Sequence, residues 1–148
     1  MKSFREILRA YLAVDTLLQA EGAAAGTATK KAAWAGNRRI NDQAYFVILF
    51  AQLEEKIDAS SESLVTKRAQ GAGWSSRRPW DTFDPTRMSF KGRVSLLVDK
   101  RSTEYAKIMK YYIIRCDLAH GIVYANMPIV IVTVAADFQA LAAKLKGR

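Results

Sequence analysis

The spacing of apolar positions predicts that most of the chain is helical. Apolar residues recur every three or four positions from Phe4 to Leu18, which predicts a first amphipathic helix over residues 3–20. Gly22 and Gly26 are expected to end it. The next segment, residues 21–39, is rich in alanine, glycine and lysine, and its composition fits either a loop or a weak helix.

A heavily apolar segment over residues 45–57 predicts a central helix that ends near residue 58. Asn41 or Asp42 is its expected N-cap, because a short polar side chain satisfies free amides at a helix start. A pair of serines, Ser60 and Ser61, favours a further short helix that continues to Gln70. The segment Gly71–Pro85 has the glycine, serine and proline content of a long irregular loop.

Two more helices are predicted before the last apolar segment. The first covers Phe90–Val98, and the second runs from Thr103 to about Ala119 with Ser102 as its N-cap. Gly121 is well placed to terminate this second helix. Its exposed side is expected to carry basic residues, among them Lys110.

The C-terminal segment favours an all-α fold. Pro128 prevents a continuous helix, and helical spacing returns over Val134–Leu145. The β-branched run Ile129–Val134 fits a strand, but no partner strand is evident, so we expect it to be buried as helix or extended chain. We predict one domain over residues 1–148, a bundle of four to five helices with a long loop before the helix over residues 103–119.

Composition and charge narrow the function classes. Half of the 148 residues are hydrophobic, which suffices for a core without metals or disulfides. Cys116 is the lone cysteine, so an intramolecular disulfide is impossible and a cytoplasmic location is expected. The N-terminus lacks the apolar core of a signal peptide, and the longest apolar run is far short of the ~20 residues of a membrane span.

The basic residues suggest a polyanionic partner. The 23 Lys and Arg residues exceed the 14 Asp and Glu residues, and many of the basic residues occur in pairs. The predicted loop and its surroundings combine cations with aromatic rings, a mixture on which single-stranded RNA stacks. The alternatives are solvated surface charges and tryptophans that only pin the loop to the helices. The candidate RNA-binding residues are Arg77, Arg78, Trp80, Arg87 and Lys110.

The segment Arg115-Cys116-Asp117-Leu118-Ala119-His120-Gly121 carries the candidate chemistry. An arginine binds phosphate through a charged fork, and a histidine gains and loses protons near neutral pH. RNA carries its own nucleophile, the 2′-hydroxyl, so these two groups are sufficient in principle for cleavage without a metal. Positions five apart on a helix diverge by roughly 140°. Convergence of Arg115 and His120 therefore requires either helix termination near Gly121 or a histidine from a second subunit.

This segment resembles the signature of HEPN domains, an arginine followed by four to six residues and a histidine, often in the form R-N-D-L-A-H-G. The family usually has asparagine where this chain has Cys116, and one toxin branch has tyrosine where this chain has Ile122. The resemblance implies a metal-independent endoribonuclease with no cofactor, acting as a homodimer whose two motifs meet at one cleft. It also implies a toxin or antiphage defence effector, for which an antitoxin or another regulatory partner is expected.

Three function classes stay open from the sequence: an RNA-cleaving enzyme, a non-catalytic module that binds RNA or nucleotides, and a helical dimerisation domain. Arg115 and His120 are the expected catalytic pair. Asp117 is a third candidate, which either orients an imidazole or contacts the 2′-hydroxyl, the alternative being a solvated carboxylate near the helix end. Glu54 and Glu55 are auxiliary candidates that either face the cleft or lie on the surface, and Cys116 marks the departure from the family that favours the second class.

Overall fold

The structure is a computed structural model and describes residues 3–71, 73–122, 124 and 129–145. Within these residues it contains helices and no strand, which confirms the predicted all-α class. The expected four to five helices are too few, because the described residues form six α-helices. They are α1 (Phe4–Ala24), α2 (Ala28–Ala69), α3 (Trp74–Asp81), α4 (Phe90–Leu97), α5 (Thr103–Ala119) and α6 (Ile131–Lys144), with a short 3-10 helix at Pro85–Arg87.

Helix α1 begins at a capping box. The Ser3 hydroxyl accepts a hydrogen bond from the Glu6 amide at 3.3 Å, and the Glu6 carboxylate accepts one from the Ser3 amide at 2.6 Å. The helix continues past Gly22 to Ala24, so the predicted end at residue 20 is too early. A Cβ at Gly22 would lie 3.4 Å from the Cβ of Trp34 in α2, which shows that this glycine permits close packing of the two helices.

Helix α2 is continuous over 42 residues, whereas the sequence predicted a segment of undecided structure followed by two helices. The alanine-rich start of α2 has high helix propensity, which favours the helical alternative for residues 28–39. The expected caps lie inside this helix, and two of their side chains form other hydrogen bonds. The Asp42 carboxylate accepts from the Tyr11 hydroxyl at 2.8 Å, and the Ser61 hydroxyl donates to the Asp58 carbonyl at 2.8 Å.

The predicted irregular loop at Gly71–Pro85 contains α3, so that prediction is wrong. The amides of Ser76 and Arg77 donate to the Gly73 carbonyl and close the first turn. Pro79 lies in the second turn, where it lacks an amide to donate. Its presence in a helix of eight residues explains why composition favoured a loop.

The remaining boundaries agree closely with the pattern. Helix α4 begins at Phe90 and ends at Leu97, one residue before the expected end, and α5 covers the predicted range from Thr103 to Ala119. The Ser102 hydroxyl accepts from the Tyr105 amide at 3.1 Å, which confirms Ser102 as the cap. The run Ile129–Val134 becomes helical at Ile131, while Pro128 lies outside the described residues.

The chain divides into two compact units, Met1–Gln52 with Tyr112–Gln139 and Leu53–Tyr111 with Ala140–Arg148, called here the first and second unit. The first unit is built around Phe138 of α6, whose ring lies 6.2 Å from that of Phe46 and 5.7 Å from that of Phe50. Phe50 also contacts Tyr112 of α5, with ring centres 6.4 Å apart. These rings fix the C-terminal half of α5 against α2 and α6.

The second unit buries aliphatic side chains of α2, α4, α5 and α6. Two ion pairs tie its helices together, Arg93 to Asp58 at 2.6 Å and Lys144 to Glu104. The Lys144 ammonium lowers the pKa of Glu104 to about 2. The fully or nearly fully buried residues of the second unit include Leu53, Ile57, Val94, Leu97, Ile108 and Leu141. Among the described residues, no helix combines the length and apolar character needed to cross a bilayer.

Candidate functional site

Helix α5 ends in a Schellman motif at the predicted site. The His120 amide donates to the carbonyls of Cys116 and Asp117, each at 3.1 Å. The Gly121 amide then donates to Leu118 at 3.1 Å, the Ile122 amide donates to Asp117 at 3.0 Å, and Gly121 has a φ of +80°. This left-handed conformation favours glycine, so the expected role of Gly121 as terminator is confirmed.

The motif residues differ in exposure and direction. Arg115, Cys116 and Asp117 are half-buried, whereas His120 is exposed. Since the His120 amide still bonds to the carbonyl four positions earlier, the helical register extends to His120. The offset of roughly 140° between Arg115 and His120 therefore applies within one chain. Asp117, three positions before His120, lies on the same side of α5 as the histidine.

Asp117 is held by a residue that follows the motif. The Tyr124 hydroxyl donates to the Asp117 carboxylate, and the Tyr124 carbonyl accepts from the buried Gln43 amide at 3.0 Å. The bond to Asp117 raises the pKa of the Tyr124 hydroxyl. Sequence reasoning missed both Tyr124 and Gln43. We call Asp117, His120 and Tyr124 the motif cluster, and Arg115 lies on a different side of α5.

A second polar cluster of the same unit joins α1 to α2. The Arg38 guanidinium donates to both carboxylate oxygens of Asp15, at 2.7 and 3.2 Å, and the Gln19 amide donates to Asp15 at 2.7 Å. Nearby, the Tyr11 hydroxyl donates to Asp42. We call these five residues the buried cluster after Tyr11 and Asp15, which are both only 7% exposed, whereas Arg38 and Asp42 are half-buried and Gln19 is exposed.

The buried cluster shifts proton affinities in opposite directions. The bond from Arg38 lowers the pKa of Asp15, whereas burial raises the pKa of Asp42. Burial, reinforced by the bond to Asp42, also raises the pKa of the Tyr11 hydroxyl. A sequence signal for this cluster existed, because Asp15 follows Ile7 and Tyr11 at intervals of four on the buried stripe of α1.

The candidate RNA-binding residues all lie in the second unit. Arg77, Arg78 and Arg87 are exposed, as is Lys110 on α5. Trp80 is half-buried and packs against Phe83 with ring centres 5.7 Å apart. The structure thus exposes the predicted cations and partly buries the predicted stacking ring.

The auxiliary carboxylates behave differently from one another. Glu54 is half-buried and Glu55 is exposed, and both lie in the second unit. The catalytic candidates lie in the first unit. The second unit also contains a cavity of about 340 Å³ lined by apolar side chains and by Asp99, Glu104 and Lys144, and none of its lining residues belongs to the motif.

No protein-family model, curated protein or solved structure matches the chain. The resemblance to HEPN domains therefore depends on the motif residues and on the position of the motif at a helix end.

Proposed function

We propose that this chain is a metal-independent endoribonuclease that cleaves RNA through attack of the 2′-hydroxyl, and that it acts as a homodimer. The proposal depends on one observation above the others: the lone histidine is exposed at the C-cap of α5, beside Asp117 and five positions after Arg115. This arrangement offers a proton carrier to solvent at a defined position, with a cation on the same helix.

The reaction requires two proton transfers and one cation. An imidazole takes the proton of the 2′-hydroxyl, whose oxygen attacks the adjacent phosphorus. The 5′-oxygen leaves with a proton from a second imidazole, which yields a 2′,3′-cyclic phosphate and a 5′-hydroxyl. Arg115 stabilises the charge that develops on the phosphate. Asp117, held by Tyr124, orients the neighbouring imidazole.

The direction of the two side chains supports a site shared between two copies. Arg115 and His120 diverge on α5 because the helix ends only at His120, so helix termination does not bring them together. A two-fold dimer solves this by pairing Arg115 of one copy with His120 of the other. It also supplies the second imidazole that the reaction needs.

Exposed apolar side chains of the first unit favour the same arrangement. Ile113, seven positions before His120 and on the same face of α5, is 59% exposed. On α2, Ile40 and Ile48 are 60% and 46% exposed and lie on one stripe with Val47. A second copy seated on these residues would remove them from water while it brings its own motif to the first.

The test is cleavage of labelled RNA in excess chelator by the intact chain and by Arg115→Ala and His120→Ala variants. We expect chelator-resistant cleavage with cyclic phosphate ends, reduced at least ~100-fold in each variant. An excess of His120→Ala mixed with the intact chain should suppress cleavage, since a mixed pair then contains only one of the two imidazoles that the reaction needs. Light scattering should give the mass of a dimer.

The results separate the alternatives. RNA binding without cleavage would support a non-catalytic binding module, which Cys116 in place of the usual asparagine favours. A dimer that neither binds nor cleaves RNA would support the third class, a helical dimerisation domain. A strict monomer that cleaves RNA would overturn the shared site while sparing the activity. Only chelator-resistant cleavage would support a toxin or defence role, with an antitoxin or regulatory partner and a cytoplasmic site of action.

A further inference from the structure

The two tryptophans of α3 have different environments. Trp80 is half-buried, packs on Phe83 and lines a groove together with Leu64 and Leu96. Trp74 is 59% exposed. Trp80 therefore packs α3 against the rest of the second unit. This role does not account for Trp74, which is exposed.

The exposed indole of Trp74 lies among cations. The Arg77 guanidinium lies 5.8 Å from the centre of the Trp74 ring, in the geometry of a cation–π contact. Arg78 is exposed and follows Trp74 by four positions, so both arginines lie on the same side of α3 as the indole. We call Trp74, Arg77 and Arg78 the Trp74 platform.

The charge around the platform indicates the chemistry of its ligand. From Lys67 to Arg87 the chain carries five cations and two carboxylates, a net charge of +3. One of the carboxylates, Asp84, is paired with Arg87 at 3.1 Å. A flat exposed ring beside unneutralised cations suits a ligand that has both flat faces and phosphates. Exposed Trp and Arg are also common in protein interfaces, but the excess positive charge favours a polyanion.

We propose that the Trp74 platform is a stacking subsite for an unpaired base of single-stranded RNA, with the arginines at the flanking phosphates. This inference depends on the proposed function for its ligand and adds a preference for unpaired RNA. The bases of a duplex are stacked on each other, so their faces are closed to the indole. The Arg77 guanidinium near the ring carries N–H groups that can donate to a phosphate.

The experiment measures RNA binding in a His120→Ala background, in which the RNA stays intact. Fluorescence anisotropy of a labelled 12-nucleotide unpaired RNA and of the matching duplex is followed over a salt series. We expect Trp74→Ala to weaken binding of the unpaired strand roughly tenfold, or ~1.4 kcal/mol, and to leave duplex binding unchanged. Trp74→Phe should retain most of the affinity. Leu17→Ala is the matched control, because Leu17 is 66% exposed and aliphatic.

The arginines should respond in a different way. Arg77→Ala and Arg78→Ala should each reduce the salt dependence of binding by about one counterion, whereas Trp74→Ala should leave it unchanged. Far-UV circular dichroism verifies that each variant keeps its helix content.

The outcomes distinguish this inference from the proposed function. Unchanged affinity for unpaired RNA in Trp74→Ala overturns the platform, and it is also the result expected if the indole docks a protein. A tenfold loss in a chain that never cleaves RNA supports the platform and overturns the nuclease. If the His120→Ala chain binds no RNA, both the Trp74 platform and the proposed nuclease activity are overturned.

Discussion

The first unit contains two polar clusters of similar residue types. One cluster is closed by its own hydrogen bonds, and the other exposes an imidazole. The buried cluster combines an arginine, two carboxylates and a tyrosine between α1 and α2, and its groups satisfy one another. The motif cluster also contains a carboxylate bonded to a tyrosine, but it lies at a helix end and exposes an imidazole to solvent. The comparison teaches that mutual pairing around buried Tyr11 and Asp15 marks the stabilising cluster, whereas an exposed imidazole marks the candidate reactive one.

The largest effect expected on stability is at Asp15. Asp15→Asn removes the charge that Arg38 pairs with, and we expect a loss of about 2 kcal/mol in the free energy of unfolding. The Arg38 side chain is 39% exposed and can turn to water, which keeps the loss below that of a fully buried pair. Thermal unfolding should show a decrease of roughly 6 °C in Tm.

His120→Ala is the counterpart in the motif cluster. It should leave Tm unchanged within about 1 °C, since the side chain is exposed, while it abolishes cleavage. The comparison fails if His120→Ala destabilises the chain as much as Asp15→Asn does.

A smaller effect is expected at Asp42, with the opposite sign. Burial raises the pKa of Asp42 above its ordinary value of 3.8, so its ionisation costs stability as pH rises through that raised pKa. Asp42→Asn keeps an acceptor for Tyr11 and should stabilise the chain by less than about 1 kcal/mol at pH 7. Urea unfolding should show that this gain disappears near pH 3.

Asp15 provides the internal check on that sign. Its pKa is lowered, so its contribution to stability is complete above 3.8 and declines as pH falls through the lowered value. The deficit of Asp15→Asn should therefore shrink on acidification. Parallel pH profiles for the two variants would contradict the assignment of opposite shifts within one cluster.

A further small loss of stability is expected at Tyr124. Tyr124→Phe removes one hydrogen bond to Asp117, which should cost about 0.5–1 kcal/mol in the free energy of unfolding. If Asp117 orients the imidazole, kcat should fall while KM is retained. The double variant with Asp117→Ala should cleave no more slowly than Asp117→Ala alone, and additive losses would show that Tyr124 acts independently of Asp117.

The helices were predictable where local signals agreed with tertiary packing. Ser102 and Gly121 define α5 because each acts on the backbone of its own helix end. The predicted start of α2 at Asn41 or Asp42 is wrong because residues 28–40 are already helical, and the Asp42 side chain bonds to Tyr11 of α1 instead. A contact 31 positions apart leaves no local trace in the sequence.

The candidate site was also predictable only in part. The motif itself is contiguous, so its residue types and spacing were visible. The contact of Tyr124 with Asp117 was not, because it depends on the direction in which the chain leaves α5. The buried cluster was accessible in part, since a carboxylate on the apolar stripe of α1 demands a partner, although the pattern does not identify Arg38.

Gly121 determines more than the end of a helix. A Cβ at this position would meet nothing within 4 Å, so the requirement for glycine comes from its φ of +80° alone. Tyr124, whose hydroxyl bonds back to Asp117, follows this turn by three positions. A residue that resists the left-handed conformation would strain the turn between the motif and the tyrosine that bonds to its carboxylate.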